Sequence, residues 1–344
     1  MVHCVHHRKL HPMTTNARTL ADAIAAAASA LPQVAHVPIM EYVHIGGGYV
    51  TGIGYEMGIQ ITYPEAKESI LIPPKIGATL ATVAGDVEIM PGLAKWKGGK
   101  VAWSILDGDY PAFVSGGVDC GEMSGPRLRT VLSTLAPFSG TEEMANTRFV
   151  WLDLASGIAW ATNKGIIGRM DIAPGGTGWV NLHPSVCAVI GKVFGGEESV
   201  QIARQENRLF IIGDGIEMSV NLSEHKPLPF AEIAAGIDND KWYVPLEPSA
   251  AVILRCVKIA ENTLGTCDIT LRSHNGVMLL EARNMLERDI SLEVGETSLT
   301  FQYTAPSNAL TKVLDKGATV FYKEPKLAIK VLGEDFYGLC MPIK

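Results

Sequence analysis

The sequence is poor in charge and has no cysteine pattern that would build a disulfide framework or a zinc site. Charged residues make up 19% of its 344 residues, whereas 47% are hydrophobic, which is enough for a large core. The six cysteines are scattered and none forms a CxxC pair, so a reducing cytoplasm is the expected location. No apolar run reaches membrane-spanning length, because the Ala-rich stretch Ala23–Ala28 is soon followed by Pro32.

Patterns typical of catalysis are missing as well. The sequence contains neither a GxSxG nor an HExxH motif, and His183, His225 and His274 have no partner at HxxxH spacing. The glycine-rich segment GGGYVTGIG lies between predicted strands and does not open a helix, which disfavours a phosphate-binding loop. The acid pairs 142–143 and 197–198 fall in predicted loops. We therefore expect a protein that is not an enzyme and that has no bound cofactor.

The first dozen residues, MVHCVHHRKLHP, differ from the rest of the chain. Cys4, His6, His7 and His11 have side chains that ligate metals, although nothing downstream completes a site. The same composition is typical of a disordered leader, here residues 1–13. No apolar segment follows the basic residues, which argues against a secretory signal. We expect a leader, and the metal-binding interpretation stays open.

What the sequence does contain is a weak internal repeat, in which a helix–strands–helix unit occurs three times. The units open with Ala- and Leu-rich helical stretches at Leu20–Leu31, Pro126–Leu135 and Pro248–Ile259. A second helical stretch follows in each unit and is entered through Pro73, Pro184 or Pro306. A period of about 110 residues is too long for a solenoid and fits three copies of one small domain.

Between and after the helices, alternating apolar and polar residues predict strands and hairpins. Hairpin turns are expected at KGGK (97–100), Ser156-Gly157, Asp214-Gly215 and Asn275-Gly276. The segments DGDYPAF and HKPLPFAEI are typical of extended, proline-containing links between units. We therefore predict an α+β protein of three domains, each with two helices packed on antiparallel sheets, at residues 14–114, 115–237 and 238–344.

Charge is segregated, although the chain as a whole carries a net charge of −7. On the predicted helices cations outnumber acids, and these cations are Lys75, Arg127, Arg129, Lys192, Arg255, Lys258, Lys312 and Lys316. One basic helix is typical of a solvated face. The same bias on several equivalent helices favours a positive surface that holds phosphates without reading bases. The first helical stretch departs from this pattern, since its one charge is Asp22.

Three segments, in the order and spacing of the repeat, resemble one known family. They are VPIMEYVHI after the first helix, TRFVWLDLASGIAWATN in the second unit and the closing Met341-Pro342-Ile343-Lys344. With the repeat and the basic helices, they make the chain resemble the bacterial-type sliding clamp, the β subunit of the replicative DNA polymerase, from about Leu20 to Lys344. The chain reads ATNKGI (161–166) where the family has ATDGHR, and LPFA (228–231) where it has FPDY. Such drift is typical of a divergent clamp, for example one encoded by a bacteriophage.

The resemblance implies a head-to-tail homodimer of three-domain subunits that closes into a ring around double-stranded DNA. The eight cations named above would face the DNA without sequence preference. DNA polymerase and a clamp loader would be tethered through short linear motifs with apolar anchors. Carried over position by position, the partner-peptide pocket comprises Trp151, Thr162, Lys164, Gly165, Ile166, Pro229, Ile233, Leu339, Met341, Pro342 and Ile343. The function implied is that of a polymerase processivity factor, with no metal and no membrane involved.

Two alternatives stay open at this point. The chain could be a clamp-like interaction protein that has lost DNA sliding, and the basic helices argue only moderately against it. For Met341 and Ile343, ordinary strand packing is the alternative to a pocket. We favour a pocket, because an apolar end is unusual for a strand that faces solvent.

Overall fold

The computed structural model describes residues 12–106, 108–141, 145–163, 165–172, 176–237, 243–284, 286, 289–323 and 328–342. Among the residues singled out above, Cys4, His6, His7, His11, Glu142, Glu143, Lys164, Ile343 and Lys344 lie outside the described residues. Contacts between residues divide the chain into two compact units. The first unit is Met1–Pro126 with Lys192–Ser223, and the second unit is Arg127–Gly191 with Glu224–Lys344.

Seven α-helices occur within the described ranges. They are α1 (Ala17–Ala28), α2 (Pro74–Leu80), α3 (Gly125–Leu135), α4 (Pro184–Phe194), α5 (Phe230–Ile237), α6 (Ala250–Leu264) and α7 (Ser307–Leu314). Short 3-10 turns lie at Pro38–Glu41, Ala136–Phe138 and Ala145–Thr147. Six of the helices are the three predicted pairs. Helix α5 corrects the prediction of a fully extended link, since the chain becomes helical at Phe230 and the amide of Ile233 donates to the carbonyl of Pro229 at 2.9 Å.

Helix α1 starts and helix α7 ends at positions other than those predicted, and a side-chain cap explains the first difference. Helix α1 begins before Leu20, because the side chain of Asn16 accepts hydrogen bonds from the amides of Arg18 (3.0 Å) and Thr19 (3.2 Å). Arg18 is therefore a helical residue that the sequence prediction leaves out. Helix α7 ends at Leu314, so Lys316, which is expected on this helix, lies beyond its end.

The strands are all paired antiparallel. They are β1 (Met13–Asn16), β2 (Val43–Gly46), β3 (Tyr49–Ile53), β4 (Met57–Thr62), β5 (Ile70–Ile72), β6 (Asp86–Met90), β7 (Leu93–Trp96), β8 (Gly99–Ala102), β9 (Val118–Met123), β10 (Val150–Asp153), β11 (Ile158–Asn163), β12 (Ile166–Asp171), β13 (Trp179–Leu182), β14 (Val200–Gln205), β15 (Arg208–Gly213), β16 (Ile216–Asn221), β17 (Tyr243–Pro245), β18 (Asp268–His274), β19 (Val277–Arg283), β20 (Asp289–Glu296), β21 (Gln302–Pro306), β22 (Thr319–Lys323), β23 (Ile329–Leu332) and β24 (Phe336–Cys340).

These elements repeat three times in the same order: one strand, a helix, four strands, a second helix and three strands. The copies are β1–β8 with α1 and α2, β9–β16 with α3 and α4, and β17–β24 with α6 and α7. Strand pairing repeats too, as β1-β6-β7-β8, β9-β14-β15-β16 and β17-β22-β23-β24, and as β5-β2-β3-β4, β13-β10-β11-β12 and β21-β18-β19-β20. This confirms the predicted α+β architecture of repeated helix-pair units.

Neighbouring copies share continuous sheets. In the first unit β4 pairs with β16, and in the second unit β12 pairs with β24, so each unit contains an eight-stranded sheet. Two four-stranded sheets remain, and in the described chain their edge strands β8 and β20 have a partner on one side only. The domain limits after residues 114 and 237 stay a prediction, because each unit combines strands from two copies.

The predicted hairpin turns form where glycine permits a positive φ. Asn275 (φ 53°) and Gly276 (φ 80°) join β18 to β19, as expected for a two-residue turn of type I′. Lys97-Gly98 joins β7 to β8, and Asp214-Gly215 joins β15 to β16.

Met13, which the sequence prediction places in the leader, belongs to β1. It is buried and lies opposite Ile89.

The core of the first unit forms between α1, α2 and the sheet. Leu20, Ile24 and Leu80 are fully buried, and a Cβ atom on Gly77 would lie 2.6 Å from Cγ2 of Ile24. Strand β3 approaches α1 even more closely, because a Cβ atom on Gly52 would collide with the carbonyl oxygen of Ala27. Glycine at 52 therefore sets the distance between helix and sheet.

We predict that Gly52→Ala destabilises the protein by about 2–3 kcal/mol, since a backbone oxygen cannot move aside as a side chain can. Urea unfolding followed by circular dichroism would measure the change in the free energy of unfolding. Gly196→Ala is the matched control, because no heavy atom lies within 4 Å of the Cβ that it adds. Equal stability of the two variants would contradict this account of the helix–sheet contact.

Candidate functional site

One face of the eight-stranded sheet in the second unit carries a row of large side chains. Trp151 lies opposite Trp160, Trp160 opposite Arg169, and Arg169 opposite Tyr337, on β10, β11, β12 and β24. Residues directly opposite on neighbouring strands share a face, so this row forms a continuous surface.

Aromatic rings cover this row. The ring of Phe230, the first residue of α5, stacks on Trp160 with a centroid distance of 5.5 Å and an interplanar angle of 13°. Trp179 meets Trp151 edge-on at 6.5 Å and lies 6.1 Å from Phe230. Phe149 meets Trp151 at 5.8 Å, also edge-on. These offset and edge-to-face arrangements stabilise one another, and we call Phe149, Trp151, Trp160, Trp179 and Phe230 the aromatic cluster.

Polar groups fix the orientation of the cluster. The indole Nε1 of Trp151 donates to the carbonyl oxygen of Asn146 at 2.9 Å. The guanidinium carbon of Arg169 lies 5.7 Å from the ring centroid of Trp160, within range of a cation–π contact. A buried indole with a satisfied N–H is a rigid platform rather than a mobile cover.

The structure divides the pocket residues predicted from the sequence into a floor and a rim. Trp151, Thr162, Ile166 and Leu339 are buried, whereas Gly165, Ile233, Met341 and Pro342 are partly exposed and Pro229 is exposed. Trp151, Ile233, Leu339 and Met341 pack in one hydrophobic cluster with the aromatic rings. The rim is therefore the part that a partner could contact.

Backbone pairing places the end of the chain at this site. The amide of Met341 donates to the carbonyl of Gly165 at 2.8 Å, and the hydroxyl of Thr162 donates to the carbonyl of Ile166 at 2.7 Å. The C-terminal segment is thus held beside the turn between β11 and β12.

Sequence reasoning misses four of the five members of the aromatic cluster, namely Phe149, Trp160, Trp179 and Phe230, and it also misses Leu228, which packs against them. Strand alternation is the available signal for Trp160, since the hairpin at Ser156-Gly157 brings it opposite Trp151. The signal for Phe230 is weaker, because its place over Trp160 depends on the turn at Pro229.

The predicted cations differ in how far they are available to a ligand. Lys75, Arg129 and Arg255 are exposed on α2, α3 and α6. Arg127 is engaged within the protein, since its Nη1 lies 2.8 Å from Oδ2 of Asp335 and its Nη2 donates to the carbonyl of Asp171 at 2.6 Å. Its DNA-facing role stays a prediction, and a phosphate would have to compete with these two contacts.

Three of the remaining four predicted cations sit near an acid or a hydroxyl. Lys258 and Lys316 lie 3.8 Å and 3.0 Å from the carboxylate of Asp315. The ammonium group of Lys192 donates to the hydroxyl of Ser29 at 3.2 Å, and Lys312 lies in the last turn of α7. The six paired helices carry the cations Arg18, Lys75, Arg127, Arg129, Lys192, Arg255, Lys258 and Lys312 against the acids Asp22 and Glu261. The excess of positive charge on the helices holds with their observed bounds.

Chemically reactive groups in the described part of the chain are buried or scattered. No group of three His, Cys, Asp or Glu side chains within those residues could hold a metal ion. Burial raises the pKa of the Cys187 and Cys340 thiols to about 12, so both stay protonated at neutral pH. No helix in the described ranges is long and apolar enough to cross a membrane.

Comparison of the sequence with protein-family models gives no match, and comparison with curated protein sequences gives none either. Solved structures do match. The pol III β protein of Caulobacter crescentus is 15% identical with a TM-score of 0.84, covering 97% of this chain and 100% of that one. The sliding clamp of Pseudomonas aeruginosa, the β subunit of DNA polymerase III bound to griselimycin, is 14% identical with a TM-score of 0.81, covering 97% and 99%.

The DNA polymerase III β subunit of Thermotoga maritima gives a similar result. It is 12% identical with a TM-score of 0.80, and the match covers 97% of this chain and 99% of that one. Because whole chains superpose at such low identity, the comparison concerns the order and packing of the repeated elements. The chain therefore has the fold of the bacterial DNA polymerase III β sliding clamp, which confirms the resemblance carried by its repeat and motifs at the level of the fold.

Proposed function

We propose that the protein is a DNA sliding clamp, a processivity factor that encircles double-stranded DNA and tethers a DNA polymerase and a clamp loader through short peptides. The observation that carries the proposal is the threefold repeat: two sheet junctions form within the chain, and in the described residues the equivalent edges of β8 and β20 are left without that pairing. The role is non-catalytic, and the buried, unbridged cysteines of the described residues suit a reducing cytoplasm.

Strand pairing within the chain indicates how two molecules would assemble. Within the chain, the last strand of the β2–β3–β4 meander in one copy pairs with the last strand of the next copy, as β4 with β16 and β12 with β24. By the same rule β20 of the third copy would pair with β8 of a second molecule. Two such head-to-tail junctions close a ring of two molecules and leave neither edge exposed.

The registers at the two internal junctions specify the register of the third. In the first unit, Thr51, Gln60 and Glu217 lie opposite one another on β3, β4 and β16. The equivalent residues in the second unit are Trp160, Arg169 and Tyr337 on β11, β12 and β24. Glu217 and Tyr337 are each the second residue of their strand. In the third copy the equivalent row begins at Leu279 of β19, which lies opposite Glu293 of β20 beside a β-bulge between Met278 and Leu279. The second residue of β8 is Lys100. Lys100 of one molecule is therefore expected opposite Glu293 of the other.

Charge supports this register. Within the chain Glu88 lies opposite Lys95, but Lys95 lies opposite Lys100, and like charges directly opposite destabilise a sheet. An acid beside Lys100 relieves that repulsion. Glu293 of a second molecule would give Lys100 an acid on its other side, as Glu88 does for Lys95.

The cations of the helices would provide the contacts to DNA. Positive charge on the helices of an acidic chain attracts phosphates without base readout. Retention on DNA would come from ring closure, so the attraction itself need only be weak and salt-dependent.

The aromatic cluster and its apolar rim would provide the contacts to partner peptides. A rigid aromatic floor with the half-exposed apolar rim of Ile233, Met341 and Pro342 suits apolar anchors of a short peptide. The second candidate function is a clamp-like interaction protein without DNA sliding. Such a protein would keep this peptide site, but its function would not depend on the cations of the helices.

The first prediction from the proposed function concerns the junction: Lys100→Glu weakens the dimer about tenfold, because acids then face each other at both junctions. The double variant Lys100→Glu/Glu293→Lys restores assembly. Light scattering across a dilution series measures both, and Lys67→Glu is a control on an exposed cation elsewhere. A persistent monomer of the unmodified protein would overturn the ring, whereas an unchanged Lys100→Glu dimer would overturn only the register.

Our second prediction concerns DNA. Replacing the exposed Arg129 and Arg255 with Gln should lower the slope of log affinity against log salt by about 0.9 for each phosphate that is no longer neutralised. Fluorescence anisotropy of a labelled duplex in a NaCl series measures the slope. Lys67→Gln/Lys226→Gln removes the same charge from exposed positions outside the helices. An equal effect of both pairs would favour a general charge effect over a DNA-facing helix surface.

Our third prediction concerns the peptide site. Met341→Ala and Ile233→Ala should each weaken binding of a labelled Leu/Phe-anchored peptide about fivefold to thirtyfold, since both remove apolar contact area at the rim. Isothermal titration calorimetry measures the affinity, and Val118→Ala is the control, because Val118 is 74% exposed in the first unit. Unchanged affinity in both rim variants would place the peptide elsewhere.

A further inference from the structure

The first unit contains a cavity that the proposed function does not use. Its volume is about 680 Å³, which lies in the range of ligand-binding pockets. Its floor is the face of the sheet that carries His44, Thr51 and Gln60, and the linking segment 108–113 closes one side. The turn at Pro91-Gly92 closes another.

The repeat places this cavity at the position equivalent to the aromatic cluster. His44 lies opposite Thr51 and Thr51 opposite Gln60, on β2, β3 and β4. The equivalent strands of the second copy are β10, β11 and β12, where the corresponding row is Trp151–Trp160–Arg169. The two sites are therefore built on the same part of the same fold.

The linking segments follow the same plan. In the first unit the ring of Tyr110, next to Pro111, stacks on His44 with a centroid distance of 5.3 Å and an interplanar angle of 19°. In the second unit Phe230, next to Pro229, stacks on Trp160 at 5.5 Å and 13°. In both, a proline-containing link lays an aromatic ring on the sheet.

The contents of the two sites differ. The indoles of Trp151 and Trp160 fill the site in the second unit, whereas the imidazole of His44 and the hydroxyl of Thr51 leave the cavity in the first unit hollow. Its polar groups are held at fixed positions: the ring Nε2 of His44 lies 2.9 Å from the hydroxyl of Ser69, and the amide of Gln60 donates to the hydroxyl of Thr51 at 3.4 Å. A hollow site with ordered hydrogen-bonding groups suits a polar ligand rather than an apolar anchor.

Charge narrows the choice of ligand. Among the described residues that line the cavity, Asp109 is the one with a carboxylate, and none has an ammonium or guanidinium group. Burial lowers the pKa of His44, so its imidazole is neutral at pH 7. Burial also raises the pKa of Tyr110 to about 12, so its phenol is neutral as well. The described part of the lining therefore carries one negative charge, that of Asp109, without a compensating cation.

We propose that this cavity is a second peptide-docking site, which takes an Arg- or Lys-bearing segment of a partner protein. The site lies within the first unit and needs neither ring closure nor DNA. It would let one molecule engage two peptides of different chemistry, one with apolar anchors and one with a basic side chain.

The test uses the full chain and three probes: the blocked tripeptides Gly-Arg-Gly, Gly-Gln-Gly and Gly-Glu-Gly. Saturation-transfer NMR and calorimetry at pH 7.5 measure binding. The arginine probe is expected to bind more tightly than the glutamine probe, and the glutamate probe is expected not to bind. Asp109→Asn should weaken it by about threefold to fivefold, the range for one exposed ion pair. Gln60→Arg, which copies Arg169 of the second copy, should abolish it by adding a cation to the floor.

The controls separate the cavity from surface charge. Glu56→Gln removes an exposed acid in the same unit, outside the cavity lining, and should leave binding unchanged. Equal binding of all three probes, or equal weakening by Glu56→Gln and Asp109→Asn, would overturn the proposal. Thermal unfolding of each variant distinguishes loss of binding from loss of folding. The light-scattering test of the dimer is independent of these binding measurements, so the two proposals can fail separately.

Discussion

Backbone pairing at sheet edges is the constraint on which this architecture depends. An edge strand presents a row of N–H and C=O groups without partners, and such a row readily pairs with another strand. Inside the chain β16 covers β4 and β24 covers β12, so the sheets of successive copies become continuous. In the proposed dimer, the edges of β8 and β20 would be the two halves of that same junction. Head-to-tail pairing of two molecules would satisfy both edges, so the proposed ring would follow from the repeat itself.

The same junctions create the surfaces on which the two sites lie. A continuous sheet of eight strands offers a broad face, and a short proline-containing link has to cross it between copies. In each unit one aromatic ring of the link stacks on the sheet, Tyr110 in the first and Phe230 in the second. The chemistry of each site is then decided by the row beneath, His44–Thr51–Gln60 or Trp151–Trp160–Arg169. One scaffold thus produces a hollow polar site and a filled aromatic one.

How much the sequence can predict follows from the range of the interactions involved. Turns at Asn275-Gly276 and helix starts at Pro74 and Pro184 depend on local backbone preferences, and the sequence predicts them. The start of α1 depends on a side-chain cap from Asn16, and α5 depends on a turn after two prolines, so sequence patterns misplace the first and miss the second. The ion pair of Arg127 with Asp335 joins residues far apart along the chain, so the sequence does not predict it. Trp160 is missed for a similar reason, since its place in the site depends on strand register.

The pairing of helix cations with acids bears on how a clamp could slide. Lys258 and Lys316 share the carboxylate of Asp315, and a phosphate has to compete with that carboxylate for each ammonium group. Competition lowers the net gain from each phosphate contact and makes exchange between neighbouring phosphates easier. In an open DNA-binding protein this would be a defect, because affinity is what keeps the protein on DNA. In a closed ring retention is topological, so weak and interchangeable contacts favour movement along the duplex. The mixture of exposed and acid-paired cations is therefore consistent with encirclement, and would be hard to explain for a protein that held DNA on one face.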